Sequence, residues 1–315
     1  MPRSRKFAAA LTLLIFLPCI LNAQEWSSDA TEKAVHGISN FASSIISDSF
    51  VPMTHYKKGE WTATLVPAYA RVSQAYDDPK IESDDMSVYS FGCGAGYAVS
   101  NSVMIFGVIS AMKARGVLSG EFYGEALPVA GVVECDTDYG LVSLNTGIGY
   151  DLCAGSKKWS LPVYAGIFLQ RFSLDAVLPE VDEGTYTIQA DITGSGALFG
   201  VNAGIALSRM ILDTVRITPY FLWMRSFNRP KLDGKVVVTP DLMPIPLTHT
   251  QTFDTEPVQA QMFGLNCSIM TSDRWSFSVS AGGLLSSLTG FYHEKLHNGL
   301  DMVSVVIAIT YNGGL

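Results

Sequence analysis

The chain has 315 residues and a formal net charge of −8; 48 % of its residues are apolar and only 16 % charged, against roughly 25 % charged in soluble domains, and its mean hydropathy is +0.24. Outside the extreme N-terminus no run of about 18 apolar residues occurs, which excludes membrane-spanning helices and leaves a buried-core soluble protein or a membrane β-barrel. The acidic balance weighs against a nucleic-acid partner, because neutralising phosphate backbones takes clustered Lys and Arg.

Residues 1–23 read as a secretory signal peptide. Arg3, Arg5 and Lys6 precede the greasy stretch Phe7 to Ile20, and Leu21-Asn22-Ala23 supplies a small residue where cleavage is expected, near Ala23. Pro18 before Cys19 does not suit a lipoprotein box. Residues 24–60 form an N-terminal segment holding one amphipathic helix between Asp29 and Phe50. Ala34, Ile38, Phe41 and Ile45 recur at helical spacing, and Asp29 with Glu32 three residues later resembles a helix start. Ser43, Ser44, Ser47 and Ser49 make its other face polar but uncharged, so it is expected to plug a lumen, lie on the inner leaflet or dock below a barrel.

From Trp61 onward large apolar side chains alternate with small or polar ones, the period of a β-strand. In Tyr139 to Leu152, Val142, Leu144, Thr146, Ile148 and Tyr150 share one face, opposite Ser143, Asn145, Gly147 and Gly149. Phe199, Val201, Ala203, Ile205 and Leu207 likewise oppose Gly200, Asn202, Gly204 and Ala206. The pattern predicts ten strands: Trp61 to Val72, Ser87 to Val99, Val103 to Ala114, Tyr139 to Asp151, Ser160 to Phe172, Ala197 to Ser208, Val215 to Phe227, Gln259 to Met270, Trp275 to Leu284 and Asp301 to Tyr311. The alternatives are eight or twelve. In the segments starting at Trp61, Val103 and Ser160 both faces carry large apolar residues, so alternation leaves open which is the oily one.

Short connections, such as Ser100 to Ser102 and Thr271 to Arg274, alternate strictly with long ones that begin at Ser73, Arg115, Ser173, Asn228 and Leu285. Outer-membrane barrels sort their loops by end in this way, with short periplasmic turns and long external loops. Lipid offers no partner to a stranded N–H or C=O, so a spanning sheet must close on itself. Tyr311 is therefore expected to pair back beside Trp61, with the oily face outward and the Gly, Ser and Asn face inward. Trp61, Tyr69, Tyr89, Tyr97, Tyr150, Trp223, Trp275 and Tyr311 sit near segment ends, as interfacial belts require. Cys93, Cys135, Cys153 and Cys267 remain after the signal. Cys135 and Cys153 fall at opposite ends of one strand, beyond the roughly 7 Å Cα separation that a disulfide tolerates, and are expected not to pair.

On these residues the chain resembles the bacterial outer-membrane β-barrel class over roughly Trp61 to Tyr311. The last strand, ending in the aromatic Tyr311, looks like the terminal signal by which that class is recognised for assembly, although Asn312 to Leu315 follow it. The resemblance implies an all-β, closed antiparallel transmembrane barrel over residues 61–315, in the outer membrane of a diderm bacterium, with outer-membrane lipid and the barrel assembly machinery as partners. Barrels of this size include OmpW-like channels and the omptin proteases, which carry acidic pairs and an Asp/His pair on their outer loops. Here Asp136 and Asp138 stand at the start of the fourth strand, and His249 lies in the longest loop with Asp254 beyond it, not at the Asp-x-His spacing of that family.

His293-Glu294-Lys295-Leu296-His297 matches the zinc-protease signature literally. That chemistry needs a helix and a third ligand, whereas this motif sits between Gly290 and Gly299 near the end of the chain. His293 and His297 are weak metal candidates, and no cofactor is expected. Asp77, Asp78, Glu82, Asp84, Asp85, Asp136 and Asp138 form an acidic mouth on the long-loop side, able to concentrate cations. Arg216 is the main charge expected in the lumen, with Asn145, Asn202, Asn266, Tyr164, Gln170 and Tyr220 as neutral company. The inner glycines leave room and longer side chains fill it. The leading functional expectation is a non-enzymatic, porin-like narrow channel for passive uptake of small or apolar solutes. The alternative is a surface interaction or adhesion protein acting on an external ligand through its long loops, and a barrel hydrolase is the lesser one.

Overall fold

The structure, a computed structural model, describes residues 57–72, 75–77, 80–120, 133–156, 158–177, 181–182, 186–229, 231–240, 247–254, 259–285 and 303–314. The expected signal peptide, the Asp29 to Phe50 helix, Asp78 and the His293 to His297 motif lie outside the described residues. The alternating segments fold into one antiparallel sheet. Its strands are β1 (Trp61–Val72), β2 (Ala75–Asp77), β3 (Lys80–Ala98), β4 (Val103–Gly120), β5 (Val133–Asp151), β6 (Trp159–Ser160), β7 (Pro162–Val177) and β8 (Val181–Asp182). They continue with β9 (Tyr186–Ala206), β10 (Ser208–Leu212), β11 (Val215–Ser226), β12 (Lys231–Pro240), β13 (Leu247–Asp254), β14 (Gln259–Met270), β15 (Trp275–Leu285) and β16 (Val303–Gly313).

With β6 continuing β7 and β10 continuing β9, ten strands form the wall in the order β1, β3, β4, β5, β7, β9, β11, β14, β15, β16. The wall closes where β1 meets β16, with Trp61 opposite Gly313 and Ala63 opposite Tyr311. Following ladder partners once around returns to β1 displaced by about twelve residues, which tilts the strands by about 40° and sets a backbone radius of about 10 Å. Every expected strand is present. At the short-turn end Gly59 takes a φ of 87°, which leads the chain into β1, and its N–H donates to Ala98 O at 2.9 Å.

The strands run further than alternation indicates, most of all at the long-loop end, with β10 and β16 also overrunning by a few residues at the short-turn end. β3 starts at Lys80, β4 reaches Gly120, β5 starts at Val133, β7 reaches Val177 and β9 starts at Tyr186. Above the apolar band the backbone still gains from the ladder, but the side chains no longer alternate between oily and small. The longest loop is also a hairpin, β12 paired with β13. The upper part of β9 leaves β11 and pairs with β12, Tyr186 opposite Pro240 and Gly194 opposite Leu232, whereas Gly200 to Ala206 pair with β11. Asn228 holds this fork: its Oδ1 accepts the Phe199 N–H at 2.9 Å and its Nδ2 donates to Ala197 O at 2.6 Å.

Side chains alternate between a lumen-facing buried set and an outward exposed set along each wall strand. Outward stand Leu65, Ile105, Ile109, Leu144, Ile148, Ile167, Leu169, Leu265, Val279 and Ile307. Aromatic clusters bound this band. Trp61, Tyr311 and Trp275 meet at the short-turn end with ring centroids 5.4 and 4.9 Å apart. At the other end Tyr69 meets Tyr89 at 5.2 Å and Phe199 meets Phe227 at 5.9 Å. Eight residues of tilted strand separate Trp61 from Tyr69, about 20 Å along the axis, close to the ~25 Å apolar band of outer-membrane barrels. Cys93, Cys153 and Cys267 are free thiols, so Cys153 does not pair with Cys135.

Candidate functional site: the barrel lumen and its outer rim

Burial decides the three segments that alternation left open. Val66 on β1, Phe106, Val108 and Met112 on β4, and Phe168 and Phe172 on β7 all turn inward and are buried. The inward face is therefore not only Gly, Ser and Asn: large apolar side chains fill it, most densely towards the long-loop end, where Val88, Leu141, Phe172, Leu174 and Leu198 are buried with Tyr139. Val88 and Leu198 are 0 % exposed.

The inner glycines do not leave open space, which corrects the expectation from sequence. Each of several lies opposite an aromatic residue on the next strand: Gly147 opposite Phe106, Gly204 opposite Tyr164, Gly200 opposite Phe168, Gly196 opposite Phe172 and Gly264 opposite Tyr220. The aromatic ring covers the glycine. A Cβ at Gly147 would fall 2.7 Å from Phe106 Cζ, one at Gly200 2.6 Å from Phe168 Cζ, and Cβ atoms at Gly204 and Gly264 would collide with the rings of Tyr164 and Tyr220. At Gly204 and Gly264 glycine is needed because a ring must approach the backbone closely, and at Gly147 and Gly200 a Cβ would also meet the carbonyl oxygens of Ala165 and Arg225.

The polar residues singled out from the sequence are distributed through this packing. Asn145, Asn202, Asn266, Tyr164, Gln170 and Tyr220 are buried on inward positions, and Arg216 is half-buried on the inward side of β11 near the short-turn end. The structure brings some of them together. Asn202 Nδ2 donates to Asn145 Oδ1 at 2.9 Å, and Asn266 Nδ2 donates to Ser280 Oγ at 2.7 Å. Thr64 and Thr310 join hydroxyls at 3.0 Å across the closing seam, and Thr218 donates to Ser208 at 3.0 Å. Cross-strand pairs of uncharged groups satisfy one another without importing a buried charge.

Asp151 is an inward residue that sequence reasoning took only as a strand end. Its buried carboxylate accepts the Ser160 hydroxyl at 2.7 Å and the N–H groups of Cys153 and Leu161, each at 2.9 Å. It holds the Leu152 to Lys158 turn and the break between β6 and β7. The signal for it in sequence was an Asp opening a tight turn, whose carboxylate reaches backbone two residues on.

The acidic mouth resolves differently from residue to residue. Asp77 lies in β2, and Glu82, Asp84 and Asp85 lie in the upper part of β3. Asp136 and Asp138 stand on the outward face of β5, sharing parity with Val142 and Leu144, rather than pointing into the mouth. Asp138 Oδ2 is paired with Arg115 Nε at 2.9 Å and Lys113 Nζ at 3.1 Å. Its charge is therefore compensated on the outer wall by two cations that the sequence reading did not connect to it. His249 lies in β13, its backbone opposite Val236, and Asp254 ends that strand opposite Lys231, so the two occupy separate ladder positions. Among the described residues no group of three His, Cys, Asp or Glu is arranged to hold a metal ion.

A closed antiparallel barrel of ten strands, oily outside between two aromatic girdles and packed inside, has the architecture of the bacterial outer-membrane β-barrel class. No family model and no curated protein matches the chain. Among solved structures it is similar to the outer membrane protease OmpT from Escherichia coli, at 8 % identity, TM-score 0.43, covering 84 % of this chain and 98 % of that one. It is also similar to the outer membrane protein OprG from Pseudomonas aeruginosa, at 10 % identity, TM-score 0.36, covering 84 % and 100 %. A major outer membrane protein from Thermus thermophilus is similar at 10 % identity, TM-score 0.37, covering 80 % and 99 %. None of these similarities assigns an activity to this chain.

Proposed function

We propose that the protein is an outer-membrane barrel whose lumen is closed at rest and whose working surface is the tall rim at the long-loop end. The observation that carries this reading is the packing of the lumen. Inward residues at every level, from Thr62 and Met104 through Val66, Asn145 and Leu222 to Leu174, are shut away from solvent. A ten-stranded barrel with a radius of about 10 Å has little width to spare once rings and branched chains point inward. The rim, by contrast, is built. The wall continues above the apolar band in β3, β4, β5, β7 and β9 and carries the β12–β13 hairpin, and among the described residues β13 pairs only with β12. Such a surface suits an external ligand, in line with the interaction alternative. In this reading the Trp61 to Tyr69 band meets lipid, the short turns face the periplasm and the chain arrives there after loss of its signal near Ala23.

The channel reading keeps one observation in its favour: the upper lumen is lined by Val88, Leu141, Phe172 and Leu198, a surface compatible with an apolar solute if the side chains part. Planar-bilayer recording separates the two. The purified full chain is expected to add no discrete conductance steps, and reproducible steps would overturn the closed-lumen reading in favour of a channel. Trypsin on intact cells tests the orientation. Cleavage at Lys231 or Lys235 in the β12 rim is expected, and cleavage confined to the turn at Lys158 would show the barrel to be inverted.

A further inference from the structure

Ser110 on β4 and Ser143 on β5 face each other across the ladder. They are 5 % and 1 % exposed, and neither hydroxyl has a hydrogen-bond partner among the described protein groups. Ladder partners hold their Cβ atoms about 4.5–5.5 Å apart, a gap that one water-sized molecule spans with a hydrogen bond to each side. Gln170 is the partner of Ser143 on β7, and Asn145, two residues along β5, accepts from Asn202 of β9. Five uncharged polar side chains from four consecutive strands thus form one patch midway along the lumen. Towards the long-loop end Met112, Leu141 and Leu198 close it with apolar surface, and Val108 and Phe106 lie on the other side.

Buried polar groups are normally hydrogen-bonded, to protein or to ordered water, because leaving them bare forfeits their hydration. Hydroxyls and carboxamides both donate and accept, so the patch can satisfy a neutral molecule from several directions. It carries no charge to offset the desolvation of an ion. We infer that Ser110 and Ser143 form a buried binding site for a water-sized, neutral hydrogen-bonding ligand, water itself in the protein at rest. The site is a wet step inside an otherwise dry lumen. This inference does not depend on the rim being the working surface.

The test uses the full mature chain in detergent. A crystal structure fine enough to show buried water is expected to have a density peak within hydrogen-bonding distance of both Oγ atoms, and a well-ordered site with no such peak would overturn the inference. Ser110→Ala, Ser143→Ala and the double variant give a second, independent readout in urea unfolding. If both hydroxyls share one bound water, each single change lowers the folding equilibrium constant about fivefold, and the double variant loses little more than either alone. If the hydroxyls are simply dry, removing either by the change to alanine raises stability and the two changes add. That result would overturn the shared site.

Discussion

Phe168→Ala distinguishes a packed lumen from a water-filled one. Phe168 is 4 % exposed and lies over Gly200, where even a Cβ would fall 2.6 Å from the ring tip. Gly200 has no side chain with which to fill the space, and its backbone is pinned by ladders to β7 and β11, so the site cannot collapse. Deleting a buried benzyl group from a rigid surround costs about 3–5 kcal/mol, and poor collapse argues for the upper part of that range. A loss of about 4 kcal/mol lowers the folding equilibrium constant about a thousandfold. Were the ring bathed in lumen water, its removal would resemble a surface substitution and cost less than about 1 kcal/mol. Urea unfolding in detergent micelles, followed by loss of heat-modifiable migration and extrapolated linearly to water, reads the difference. A loss below about 1 kcal/mol with an unchanged slope would refute the packed lumen and the closed-lumen reading with it.

Four further outcomes follow from the same geometry. Asp151→Ala leaves the N–H groups of Cys153 and Leu161 without their acceptor and is expected to cost about 3 kcal/mol, with Asp151→Asn costing under about 1, both measured by the same unfolding assay. Gly204→Ala forces the Tyr164 ring off its seat at about 1–3 kcal/mol, and in a Tyr164→Ala background that penalty should vanish; an undiminished penalty would mean that the ring is not the obstacle. Asp138→Asn removes ion pairs with Arg115 and Lys113 that are largely in solvent, so stability should fall by no more than about 1 kcal/mol, and a larger loss would show the pairs to be shielded. In a variant keeping Trp275 as its single tryptophan, vesicle fluorescence should be quenched more by bromine near the headgroups than by bromine at the acyl ends, and the reverse order would remove the lower girdle from the interface.

Period-two alternation and the sorting of short and long connections pointed to ten antiparallel strands, with eight or twelve as the alternatives, and, from the need to satisfy every backbone group, to a closed wall with β16 beside β1. They also set the inward parity of Asn145, Asn202 and Asn266, since a one-residue slip would turn every oily face towards the lumen. Alternation fell silent where both faces are large. Phe106 and Ile105, or Phe168 and Ile167, are equally oily neighbours, and only the closed wall decided which is packed inside. It also missed β12 and β13, because above the outer apolar band a ladder needs hydrogen bonds but no oily face. The tertiary structure alone decided that the lumen is filled. A glycine in sequence is merely small, and whether it is a gap or the seat of a ring depends on which residue the register sets across from it. Asp151, Asn228 and the Ser110–Ser143 pair belong to the same category: their partners come from other strands or across a turn, and that adjacency is created by register and closure.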